Sequence, residues 1–212
     1  MDSSFANRDF SWILQHVPPW KRRIKRAIDF GVSLMALIFF FPVFVLIALL
    51  VKLAGEGPAF FSQERVGYLG KTFHVHKFRT MVKDALKRGG YETSEQDPRI
   101  TPLGRFLRRW SLDELPQLWN VFKGEMSLIG PRPTLAYQVD AYTAQQRRRL
   151  LVKPGMSGLA QVSGRNALTW PERIELDLQY IENFSFWLDA KIFFRSFGLV
   201  LGRKGVYGDK SL

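Results

Sequence analysis

The 212-residue sequence contains no cysteine. That absence excludes disulfides, thiolate-bound zinc and a cysteine nucleophile together. It also has no low-complexity tract and no repeat with a period of roughly 20–50 residues, which excludes solenoids and propellers. Negative charge is in deficit: 31 lysines and arginines face 19 acids, for a formal net charge of +12. An excess of that size favours anionic partners such as nucleic acid, anionic lipid head groups or phosphorylated substrates. The length suits one packed domain with a short accessory element.

Long hydrophobic runs are missing too, with one exception. "FGVSLMALIFFFPVFVLIALLV", residues 30–51, carries no charge over 22 residues and follows the basic string "KRRIKR". As a straight helix at about 1.5 Å per residue it would reach roughly 33 Å, enough for a hydrocarbon core of about 30 Å. Pro42 argues against a simple crossing, because it removes a helix hydrogen bond and crowds the preceding turn. So does charge on both flanks. Lys21, Arg22, Arg23, Lys25 and Arg26 precede the run and Lys52, Arg65 and Lys71 follow it, so the positive-inside bias places both ends on the cytoplasmic side. A helix that bends at Pro42 and returns satisfies both observations, and a single-pass anchor with a tolerated proline is the plainer alternative. A cleaved signal peptide does not fit the length of the run.

Beyond Pro58, "PAFFSQERVGYLGKTFHVHKFRTM" predicts a hairpin turning between Gly67 and Gly70. His74 and His76 would share one face, and without a nearby third ligand they read as a solvated or core-edge pair rather than a metal site. "MVKDALKR" predicts a short helix stopping at Gly89 and Gly90. Thr101 and Pro102 have the chemistry of an N-cap and a first helical residue, with Leu103, Phe106, Leu107 and Trp110 at helical spacing. Ser111 and Glu114 match a capping box that would start a helix through about Phe122, ended by Gly124. "WPERIELDLQYIENF" and "FWLDAKIFFRSFGLVLGRK" predict two further helices, the second with Lys191 and Arg195 four residues apart. Its aromatic and basic faces suit a membrane interface, and core packing is the competing use.

The stretch "SLDELPQLWNVFKGEMSLIGPRP", residues 111–133, concentrates chemistry. Asp113 and Glu114 are about 100° apart around a helix, yet both can converge on an ion or phosphate at its start. A helix dipole would help to keep Asp113 ionised. Arg108, Arg109 and Arg132 could donate to phosphate. Carboxylates beside phosphates call for a divalent cation, magnesium first, because the ligands are hard oxygens. The plainer alternative is that Glu114 caps, Asp113 complements the dipole and the arginines cover a solvated face.

The ordered strings "KFRTM", "SLDELPQLWNVFKGEMSLIGPRP" and "KPGMSGLAQVSGRNALTW", after a basic N-terminus and an apolar helix, resemble the bacterial sugar transferases, or monotopic phosphoglycosyl transferases. The likeness runs from about Lys21 to Gly202 and is to the minimal form. It implies an N-terminal segment (1–20), a basic flank with a reentrant membrane helix (21–54), and a cytoplasmic catalytic domain (55–212). That domain would be α/β, mostly helical, resting on interfacial amphipathic helices at the bacterial inner membrane.

The resemblance further implies transfer of a sugar-1-phosphate from a UDP-sugar to undecaprenyl phosphate, with release of UMP. Asp113 matches the nucleophile that forms a phosphosugar-enzyme intermediate, and Glu114 its acidic partner, the two also holding Mg2+. Arg108 and Arg132 match phosphate-contacting arginines, and Lys77, Arg79, Gly155 and Arg165 lie in motifs near the nucleotide-sugar site. Expected partners are the UDP-sugar, undecaprenyl phosphate and membrane lipids, with no nucleic acid and a homodimer left open. Two positions depart from the pattern: Phe41-Pro42 stands where relatives often have Ser-Pro, and Glu125 where they often have Asp. "GRNALTW" resembles members that use N-acetylated amino sugars. The competing functions are a basic membrane-docking protein without activity and a metal-dependent glycosyltransferase that releases UDP.

Overall fold

A computed structural model of the chain describes residues 11–90, 94, 96–164 and 167–202. After a short helix α1 (11–16) come α2 (Pro19–Phe39) and α3 (Phe41–Leu53), which meet at a 62° bend. No single helix among the described residues is long and apolar enough to cross a membrane, whereas this bent pair passes the same test of length and composition. The break falls at Phe40, two residues before Pro42. Pro42 lacks the N–H that the Ile38 carbonyl would otherwise receive; the Phe40 N–H keeps its regular partner, Ala36 O, and also reaches Ile38 O. Ser33 does not assist. Its buried hydroxyl donates to Phe30 O at 3.1 Å, well before the break.

The basic residues before the apolar run do more than bias topology. Arg26 donates to Val121 O and Phe122 O, both at 2.6 Å, and so caps the C-terminal end of α6 (Gln117–Lys123). Lys25 pairs with Asp189 of α11 (Phe186–Gly202). Asp29, buried within α2, accepts from the Leu128 N–H of β3 (Ser127–Ile129) at 3.1 Å. Phe30 stacks on Phe122, which stacks on Trp119. The N-terminal half of α2 is therefore fastened to the rest of the protein, while Ile38, Phe39 and Phe41 at the bend stay exposed.

The expected hairpin forms from β1 (Phe60–Val66) and β2 (Thr72–Phe78), antiparallel, around a 3-10 turn at Tyr68–Gly70. A short α4 (Ala85–Gly89) follows, then α5 (Pro102–Arg109), where Thr101 Oγ1 accepts from Gly104 N at 2.9 Å as the cap chemistry predicts. A second sheet is parallel and two-stranded, β3 with β4 (Gly155–Ser157). Short helices α7 (Ala136–Asp140), α8 (Ala144–Arg147) and α9 (Leu159–Ser163) lead to α10 (Trp170–Glu182) and α11. Among the described residues the chain is thus mostly helical with two small sheets, of α/β type.

The capping box expected at Ser111 is not there. Ser111 has a left-handed φ of 53° and makes no side-chain cap; a 3-10 turn, Leu112–Glu114, comes next, and α6 starts only at Gln117. Pro116 explains the break, because a continuous helix would need its missing N–H and would press its ring on the preceding turn. A Glu-mediated N-terminus does occur, at Thr169, whose N–H and hydroxyl both donate to Glu172 Oε2 at 2.7 Å.

Candidate active site

Two elements bring the acids and the cations together. β2 carries Lys77 on the same strand as buried Val75 and Phe78, and α6 docks beneath it through Asn120, which is fully buried. Asn120 Oδ1 accepts from the His76 N–H at 3.1 Å, and its Nδ2 donates to His74 O and Glu125 Oε2, both at 2.7 Å. Glu125 thereby acquires a place: it holds the Asn120 amide and accepts from Lys123 at 2.8 Å. Val121 and Met126, with no exposed surface, pack with Val75 in the same join. Each buried side chain of that size contributes about 1.5–3 kcal/mol.

The 3-10 turn sets Asp113 and Glu114 beside this strand. Lys77 Nζ donates to Glu114 Oε1 at 2.7 Å, and Arg132 Nη2 reaches the same oxygen at 2.8 Å. Arg108, at the end of α5, donates through Nε to Thr80 Oγ1 at 2.9 Å and lies close enough for its charge to act on Asp113. The helix dipole expected to keep Asp113 ionised is replaced by an opposite effect. Burial first, and the Glu114 charge second, push the Asp113 carboxyl up to about 6 against the pull of Lys77, Arg108 and Arg132. Burial acts on Glu114 in the same direction, but Arg132 and then Lys77 outweigh it and hold that carboxyl well below the usual range. Adjacent acids thus differ in basicity, with Asp113 the stronger base.

The turn bearing Arg132 is tied down at nearly every residue. Gly130 N donates to Ser157 O, Gly155 N to Pro131 O, and Val66 N to Thr134 O, each at 2.8 Å. Gly155 is required there because a Cβ would lie 2.1 Å from Gly130 N. Arg149 Nη2 donates to Arg132 O at 3.0 Å. Arg149 is paired with Asp177, both nearly sealed from solvent, and its Nη1 donates to the Tyr142 hydroxyl.

Of the residues expected to form a site, Asp113, Glu114, Lys77, Arg108 and Arg132 come together, and Gly155 supports the Arg132 turn. Arg79 stands elsewhere: its guanidinium donates to the carbonyls of Val51, Gly55 and Glu56 and caps the end of α3. It also lines a cleft of roughly 190 Å3 between that helix end, Met81, Lys83 and Leu103. Arg165 lies outside the described residues. Arg149, Asp177, Tyr142 and Asn120 escaped the sequence reading. Only Asn120 left a signal, as a lone amide in the apolar string "LWNVF".

Among the described residues no group of three or more His, Asp or Glu side chains is arranged to hold a metal. Asp113 and Glu114 are the carboxylates at this turn that could hold a hard divalent cation, which would take one or two carboxylates and keep several waters. Glu114 Oε1 accepts from both Lys77 Nζ and Arg132 Nη2.

A family model for bacterial sugar transferases matches residues 20–203. The chain is 43% identical over 201 residues to an uncharacterized sugar transferase of Haemophilus influenzae and 41% over 201 residues to the undecaprenyl-phosphate galactose phosphotransferase of Salmonella typhimurium. Each alignment takes 88% of this chain but 42% of the relative, so the chain spans less than half the length of those two proteins. With the uncharacterized sugar transferase EpsL of Bacillus subtilis it shares 42% identity over 183 residues, 86% of this chain and 90% of the relative.

Proposed function

The chain belongs to the bacterial sugar transferase family, and on that premise we propose that it moves a sugar-1-phosphate from a UDP-sugar to undecaprenyl phosphate, releasing UMP. The observation that carries this reading is Asp113. It is a buried carboxyl with raised basicity, set among Lys77, Arg108 and Arg132 and beside an acid that stays ionised.

In the proposed first step an ionised Asp113 oxygen attacks the sugar-proximal phosphorus. The new O–P bond forms as the pyrophosphate P–O bond breaks, and UMP departs with the electron pair. In the second step an oxygen of undecaprenyl phosphate attacks the same phosphorus, the bond to Asp113 breaks, and the carboxylate is restored. Dividing the transfer spares two strongly anionic substrates from meeting directly. Arg132, about half exposed, and Lys77 neutralise Glu114 in the free protein and are available to share phosphate oxygens when a donor enters. Mg2+ bound by Asp113 and Glu114 would offset charge on the phosphates. The Salmonella relative's name refers to galactose, and "GRNALTW" to an N-acetylated amino sugar, so both belong in the donor panel.

The site of action in this reading is the cytoplasmic face of the bacterial inner membrane. The bent pair supports it through exposed Ile38, Phe39 and Phe41 at its apex and the basic residues at both ends. Exposed Trp187, Phe194 and Phe197 on α11 would rest in the interface.

The test is nucleotide release from UDP-galactose, UDP-glucose and UDP-N-acetyl amino sugars with magnesium and undecaprenyl phosphate. UMP from the intact protein and none from Asp113→Ala is the expected result. UDP in place of UMP would identify glycosyl transfer instead. Salt-sensitive nucleic-acid binding without nucleotide release would favour the docking alternative.

A further inference from the structure

The carbonyl of Arg132 faces the protein interior, and the group that receives it is Arg149. Arg149 is 4% exposed and its partner Asp177 2%. One guanidinium is divided among a carboxylate, the Tyr142 phenol and the Arg132 main chain, and the phenol donates onward to Thr134 Oγ1 at 3.3 Å. Two of these contacts therefore end on the turn between Gly130 and Thr134.

As a device for stability alone, the pair is poorly finished. Arg149 Nε is buried without a hydrogen-bond partner. Burial also pushes the Asp177 carboxyl up to about 6 despite Arg149. Apolar side chains of similar volume would often serve a core as well or better. What they could not do is present a planar donor fork to a main-chain carbonyl.

We propose that Arg149, clamped by Asp177 and Tyr142, is the positioning residue for Arg132: it fixes the Arg132 carbonyl and so holds the guanidinium against Glu114, ready for a donor phosphate. This rests on the transferase function proposed above. Lysine at position 149 keeps the charge but cannot serve three acceptors in one plane.

The experiment is a double-mutant cycle on kcat/KM for UMP release, using Arg149→Lys, Arg132→Ala and the double variant, with thermal melts alongside. Arg149→Lys lowers kcat/KM by about tenfold or more in the parent chain, but by less than about twofold when Arg132 is already alanine, because the residue acts through Arg132. An equal loss in both backgrounds overturns the proposal. A second readout needs no activity: the rate at which phenylglyoxal modifies Arg132, mapped by peptide mass, with Arg147 as internal control. Arg149→Lys raises that rate, and an unchanged rate overturns the proposal even if the parent chain releases no UMP, a result that would count against the transferase reading alone. Should Arg149→Lys fail to fold, Tyr142→Phe enters the same cycle and labelling. It leaves the Arg149 charge in place and removes the link to Thr134.

Discussion

Arg132 and Arg149 stand on opposite sides of one turn, and each faces a carboxylate. Outside, Glu114 receives two cations, Lys77 and Arg132, and is held well below the usual carboxylate range. Inside, Asp177 pairs with Arg149 and also feels the Arg173 charge, yet burial carries its carboxyl up to about 6. The difference shows how local charge and desolvation compete: two cations hydrogen-bonded to the carboxylate outweigh burial at Glu114, whereas one hydrogen-bonded cation does not at Asp177. It also separates two tasks. The outer pair, with Arg132 about half exposed, is open to the phosphate exchange proposed above; the inner pair is sealed.

The largest effect that would sharpen this contrast comes from the outer side. Asp113→Asn is expected to lower UMP release by about 10^3-fold or more, without a fall in melting temperature, because burial already disfavours the ionised form. Turnover close to the parent value would remove the acidic turn from the chemistry. On the inner side, Gly155→Ala drives a methyl into Gly130 and is expected to cost about 3 kcal/mol, read from the denaturant midpoint. A midpoint within error of the parent would show that the turn is less rigid than its ties imply.

A smaller effect concerns pH. Because the Asp113 carboxyl is raised to about 6, its ionised form is present above that pH and falls about tenfold for each unit below it. The acid limb of donor kcat/KM is expected there. Glu114→Gln removes a charge that raises Asp113 and frees two cations that lower it, so the limb moves to lower pH, by about one unit. Movement in the opposite direction would break the account of the pair. Smallest is Pro42→Ala, which is expected to leave turnover in detergent nearly unchanged and to shift the bent segment toward a spanning topology. Both ends remaining accessible from the same side of vesicles would show that the break at Phe40 does not need the proline.

Much of the frame was legible in the sequence because its signals are local. The hairpin, the Thr101 cap, α10 and α11 each depend on residues within a turn of one another. The helix expected from Ser111 failed on Pro116, whose missing N–H outweighed a matching capping pattern. The ties that position the site are not local. Arg26 meets carbonyls 95 and 96 residues away, Asn120 meets His74 46 residues away, and Arg149 meets Asp177 28 residues away. In "KRRIKR" an arginine tied to distant carbonyls, and in "QQRRRLL" a buried one, is spelled like a solvated one.

The 62° bend between α2 and α3 would have a consequence for the bilayer in the membrane-bound state proposed above. Arms that diverge by that angle from a straight line form an open V. If the apex dips symmetrically, each arm lies about 59° from the membrane normal. The 13-residue α3, about 20 Å long, then descends only about 10 Å, short of the midplane of a hydrocarbon core of about 30 Å. Such an insertion displaces lipid from one leaflet and not the other. Inserted as proposed above, the protein would act as a one-sided wedge, taking up area in the leaflet it enters and favouring membranes in which that leaflet is under packing stress.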